Sequence, residues 1–193
     1  MAEKKLSADE LAQIERTFDP ESAFRPTGKS MGFLITAGLV AMSIYHFYAS
    51  GFALIQELTH RGIHLSFVLG LVFLLFSWRK SLSVEIAPKE WYRFDGVPFS
   101  DILLASLGVF AAMYLPLLPS AALAMRVGNP SAGDVFMGSA LLLLTLEASR
   151  RSVGITLPLI GIGFIVFALF GPWMPGALKH GGASWPGLIN HLY

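Results

Sequence analysis

The sequence contains no cysteine among its 193 residues. That excludes a disulfide framework, thiol catalysis and any metal site built on thiolates. Charge is scarce as well. Asp, Glu, Lys and Arg make up 14% of the chain, where a soluble domain carries roughly a quarter. The net charge of +1 offers no basic excess with which to hold a nucleic acid. There is no Gly-rich phosphate loop, nucleophile elbow, HExxH or CxxC, so the common signatures of nucleotide, hydrolase and metalloprotease chemistry are missing. The opening MAEKKLSADELAQIERTFDPES has no apolar core behind its basic residues and is not a signal peptide.

What the chain has in quantity is apolar surface: 54% hydrophobic residues and a mean hydropathy of +0.60. Of the 27 charged residues, 11 lie within the first 30 positions. The rest reads as an integral membrane protein behind a short polar tail. Five apolar runs are candidate spans: 32–54, 62–78, 101–119, 134–149 and 154–170. The last two cannot form one straight helix. Their combined 37 residues would extend roughly 55 Å, against a hydrocarbon core of roughly 30 Å. Arg150, Arg151, Gly154 and Pro158 place the break, since paired arginines favour the interface, glycine weakens a helix and proline removes a backbone donor.

With five spans, the Lys and Arg residues collect on alternate sides, eleven on one and three on the other. The positive-inside rule then puts the N-terminus in the cytoplasm and the C-terminus outside. Two further segments read as interfacial. In 7–18, Ser7 and Glu10 stand at capping-box spacing, and Leu11, Ile14 and Phe18 share a face. In 81–101, Trp91, Tyr92 and Phe94 lie among charges, a mixture suited to the headgroup layer, and Ser100 or Asp101 can cap the third span. Beyond the fifth span, Ser184 can cap a further helix.

Few residues could carry chemistry. His60 and His64 have a two-ligand spacing on a helix but no evident third ligand beyond Glu57, and the competing reading is an outer turn with His64 opening the second span. His46 lies inside the first span, where an ionisable side chain marks either a proton relay or a hydrogen-bonded packing contact. Packing is favoured by its neighbours Tyr45 and Tyr48. Glu57 follows the first span and Asp101 starts the third, both fitting helix ends at the interface, and Asp134 starts the fourth, where a negative group suits the helix N-terminus. Glu147 faces Arg150 and Arg151 at i+3 and i+4, which lowers the cost of a carboxylate at the hydrocarbon edge. The sharp reading of this island is a carboxylate-binding site. The plainer one, which we prefer, is an anchor at a cytoplasmic turn that also contacts a neighbouring chain. Pro158 is the one place resembling a broken transporter helix, and no second such segment accompanies it.

Three blocks, RGIHLSFVLGLVFLLF (61–76), LLLLTLEASRRSVGITLPLIGIGFIVFALFGPWMPG (141–176) and HGGASWPGLINHLY (180–193), resemble the N-terminal part of fused permeases of tripartite ATP-independent periplasmic (TRAP) transporters. The match is to the four-plus-twelve-span type that works with TAXI-type binding proteins, and it runs over about 32–193. It implies an all-α integral membrane protein with about five transmembrane helices and short interfacial helices. Residues 1–30 would be the polar tail, 31–150 a four-helix small-subunit bundle, and 151–193 a joining helix and outer segment leading toward the large permease part. The implied role is a scaffold in the bacterial inner membrane, beside a large permease that imports organic anions, carboxylates among them, handed over by a periplasmic binding protein. A sodium or proton gradient would drive the large part, with no cofactor or metal held here. The family's substrate and ion residues lie in that large part, so none is carried onto this chain. Two other classes stay open: a stand-alone membrane adaptor, and a redox anchor with histidine-ligated haem using His46, His60 or His64. Against the last stands the expectation that His46 and the other two lie at different depths.

Overall fold

The computed structural model describes residues 24–78, 91–126 and 128–193, so the proposed 7–18 interfacial helix and residues 81–90 of the 81–101 segment lie outside the described residues. Among the described residues seven α-helices follow one another: α1 (Lys29–Gly51), α2 (Glu57–Leu75), α3 (Phe99–Tyr114), α4 (Ser120–Ala124), α5 (Ala132–Ser152), α6 (Thr156–Leu169) and α7 (Trp185–Leu192). A two-strand hairpin, β1 (Arg93–Phe94) with β2 (Val97–Pro98), precedes α3. The architecture is therefore helical, as the sequence implies.

Among the described residues three helices, α1, α2 and α5, are long and apolar enough to cross a membrane. The apolar helices α3 and α6 have only 16 and 14 residues, or roughly 24 and 21 Å, so helix length by itself supports three spans rather than five. The chain continues α3 with a turn in which Leu117 and Leu118 still donate backward to Met113 and Leu115, and it follows α6 with a 3-10 turn over Gly171–Trp173. The break between the fourth and fifth runs falls where expected, between Ser152 and Thr156, with Gly154 at φ 106°. Pro158 does not break a helix. It occupies the first turn of α6, where its missing N–H costs nothing.

The core is built from small residues. On α3, Asp101, Ala105, Gly108 and Ala112 recur at helical spacing, and all are buried. A side chain added at Gly108 would stand 2.9 Å from Leu69 Cβ, and one at Gly62 would meet the Ala112 carbonyl at 2.9 Å. Close helix approach of this kind drives association where lipid removes the usual hydrophobic incentive. Leu69 and Phe73 of α2, 1% and 0% exposed, fill the centre. The outer faces are inverted relative to a water-soluble protein, with Phe33, Phe47, Leu103, Phe136 and Phe164 each more than half exposed. At the far end, α7 lays Ile189 against Gly138 of α5, and Tyr193 donates to the Ala111 carbonyl.

The hairpin holds α1 in place. Asp95 and Gly96, at φ 52° and 92°, make the two-residue turn with left-handed backbone that suits strand twist. Asp95 then accepts through its carboxylate from Met31 N at 2.8 Å and through its carbonyl from Gly28 N at 3.0 Å. A residue far along the chain thus satisfies the free N–H groups at the start of α1, which has no cap of its own. Gly28 is required because any side chain there would overlap the Asp95 carboxylate. Asp95→Ala should cost about 1 kcal/mol, the loss of one cap, and Gly28→Ala should cost more. Thermal unfolding in detergent should show Gly28→Ala becoming less harmful when Asp95 is already alanine, because the two act through one contact.

Candidate functional site

Where α2 ends, α3 begins and α5 ends, five charged side chains form one chain of alternating sign: Arg25, Asp101, Arg151, Glu147 and Arg150. Each position follows from its element. Asp101 is the third residue of α3 and heads the buried stripe of small residues. Arg151 closes the equivalent stripe on α5, Asp134–Gly138–Leu141–Leu144–Ala148–Arg151. Arg25 is brought in by the extended segment before α1, where Phe24 bridges Phe76 and Arg25 N donates to the Leu75 carbonyl at 2.7 Å.

Asp101 takes an ion pair from Arg25 Nη2 and another from Arg151 Nη1, the latter at 3.0 Å. All three side chains are 5% exposed or less. Glu147 Oε1 accepts from Arg151 Nε at 2.6 Å, while Arg150 grips both Glu147 oxygens at 2.8 Å. The arginines also reach the Phe76 carbonyl, Arg25 Nη2 at 3.2 Å and Arg151 Nη1 at 3.4 Å. That oxygen is among those an ending helix leaves unpaired, and cations complement the negative end of its dipole. Phe73 lies under the Arg151 guanidinium at 4.9 Å and Trp78 under that of Arg150 at 4.5 Å. Burial pulls Arg25 below its ordinary pKa, with Asp101 acting in the opposite direction.

The expected Glu147–Arg150–Arg151 association is present, though inside the last turns of α5 rather than in the turn that follows. Its partners are α2 and α3 of the same chain. Asp101 is a correction of role. It makes no side-chain cap to α3, whose N-cap is Pro98; it is the shared anion of two buried arginines. Arg25 had passed as one more tail charge. Asp134 does sit at a helix start, in a capping box with Ser131, and also pairs with Arg126 at 2.6 Å. Glu57 lies in the first turn of α2, loosely paired with Arg61 at 3.7 Å.

The histidines are a second correction. His60 and His64 both lie within α2, which starts five residues before the predicted span, and His46 meets them at the same depth. His46 Nε2 is 2.8 Å from His64 Nδ1, and Tyr45 Oη is 3.0 Å from His60 Nδ1. Among the described residues no group of three or more His, Asp or Glu is arranged to hold a metal ion. A metal between two imidazoles would set their nitrogens roughly 4 Å apart, twice a metal–nitrogen bond, so the direct 2.8 Å contact fits a shared proton better than a haem iron. Comparison with protein-family models, with curated proteins and with solved structures finds no match.

Arg25 Nη1 is buried without a hydrogen-bond partner among the described residues, but chemically the ion-pair chain is closed on its anionic side. Its carboxylates are consumed by its arginines, and it fastens three helices and the N-terminal segment. Removing the shared anion should be its most damaging change. Asp101→Ala leaves Arg25 and Arg151 facing each other in a buried site and should cost about 3–5 kcal/mol, whereas Arg150→Ala, at the more exposed end, should cost about 1 kcal/mol or less. Thermal melting of both variants in mild detergent checks the ranking.

Proposed function

We propose that this chain is the small membrane scaffold of a TRAP-type secondary transporter. It has no substrate site of its own, stabilises a larger permease beside it, and widens the surface on which a periplasmic binding protein docks. The cargo would be organic anions, carboxylates among them, driven by a sodium or proton gradient through the larger part. The observation that carries the reading is α6. Leu159, Ile160 and Phe164 are each more than half exposed, and Pro158 is the helix's one buried residue. A helix apolar on every side belongs in lipid or against another membrane protein, and α6 directly follows the LEASRR block that carries the family resemblance.

On this reading α3 and α6 complete five crossings of the bacterial inner membrane. The eleven-to-three division of Lys and Arg sets the N-terminus inside. The ion-pair chain lies at the cytoplasmic rim as a structural lock, which leaves transport to the partner. A photo-crosslinking residue at Phe164 in cells should yield an adduct with a large multi-span permease, and deleting the gene should abolish uptake of one organic anion. Purified chain in proteoliposomes should transport nothing alone. Uptake by the chain by itself, or an adduct with lipid only, would count against the scaffold.

A further inference from the structure

The contact between His46 and His64 has a definite proton arrangement. His46 Nδ1 lies 2.8 Å from the Met42 carbonyl, which can only accept, so that nitrogen carries a proton. One proton then bridges His46 Nε2 and His64 Nδ1. An added proton can go to His64 Nε2 without disturbing the bridge. A second puts an N–H on both facing nitrogens, and two like charges then meet at hydrogen-bond distance.

The rest of α1 makes this contact consequential. Its buried residues, Met31 and Ile35, lie in the first two turns, next to the Asp95 cap. The C-terminal half has no buried residue; beyond Met42, which packs partly buried against the core, it meets α2 through rings: His46–His64, Tyr45–His60 and the 6.2 Å approach of Tyr45 to Phe67. Beside α1 runs an apolar groove of about 860 Å³, walled by Leu34 and Gly38 of α1, Phe67 and Leu71 of α2, and Ile102 and Phe110 of α3. We propose that His46 and His64 form a proton-operated clasp between α1 and α2. When both rings are charged, the clasp releases the C-terminal half of α1, which swings on its anchored N-terminal end and widens this groove.

The surroundings leave the pair as the contact that an added proton would change. From α1 and α2 it is faced by Tyr45 and His60, with the exposed Glu57–Arg61 pair one turn earlier. The ionisable groups of α3 and α5 are engaged elsewhere: Asp101 and Glu147 with arginines, Asp134 with Arg126, and Tyr114 stacked on Tyr193. The Tyr45–His60 bond survives protonation, because a charged His60 can donate to the phenol oxygen. The inference does not depend on the transporter reading.

The absence of native cysteine makes the test direct. Spin labels at Phe47→Cys on α1 and Phe136→Cys on α5, both exposed, report the spread of α1 in the full chain in neutral-lipid nanodiscs. Lowering the pH from about 8 to about 5, across the ordinary histidine range, should shift the distance distribution to longer values. His64→Phe and His46→Phe should each abolish the shift, and His60→Phe should retain it. An unchanged distribution in the otherwise native chain, or a shift that persists in either clasp variant, overturns the proposal. If one clasp variant fails to fold, the other decides.

Discussion

A single buried carboxylate, Asp101, governs one end of this molecule. Two guanidinium groups from distant parts of the chain, Arg25 and Arg151, close on it, and all three side chains are almost fully withdrawn from solvent. Burying ions carries a heavy desolvation cost, which is offset only when charge and hydrogen bonding are matched. Here the match extends to Glu147, Arg150 and the Phe76 carbonyl. The arrangement therefore works as a registry device. The end of α2, the start of α3, the end of α5 and the segment before α1 meet in one geometry, because any slip would strand a charge in an apolar setting.

The remainder of the bundle follows from that fixed end. Once α2 and α3 are aligned, Gly62 and Gly108 let their backbones approach until side chains of the facing helix fill the gap. The Asp95 turn, directly before α3, is then in position to cap α1. The helix is thus secured firmly at one end and more lightly at the other, where Met42 and a set of aromatic and imidazole rings make the contacts. Helix α6 stands outside this logic, since it packs on α5 and α7 and presents the rest of its apolar surface outward. The pairing of Asp101, Asp134 and Glu147 with arginines, together with the outward apolar surface, supports the proposal of a supporting role in a larger membrane assembly.

Much of this was legible in the sequence. Five apolar runs became five helices in the right order, and the length argument correctly broke the run between Ser152 and Thr156. The i+3 and i+4 spacing from Glu147 to its arginines became two ion pairs. Other features had a signal that span counting obscured. Asp101 and Arg151 stand on the same helical stripes as the small buried residues of α3 and α5, which marks them as inward-facing. The Asp95–Gly96 pair between Phe94 and Val97 is a hairpin signature, but the neighbouring Trp91 and Tyr92 suit a membrane interface equally well.

The sequence by itself determined the class of solvent, the helical architecture and the local pairings, since each depends on composition or on neighbours within one helical turn. Only the tertiary structure decided which distant groups meet. Arg25 and Asp101 lie 76 positions apart, and His46 faces His64 only because Glu57 starts α2 early enough to bring both rings to one level. Periodicity assigns a residue to a face of its own helix. It carries no information about which helix that face will meet, or at what height, and here those two facts turned a presumed cap into a buried keystone and three scattered histidines into a cluster.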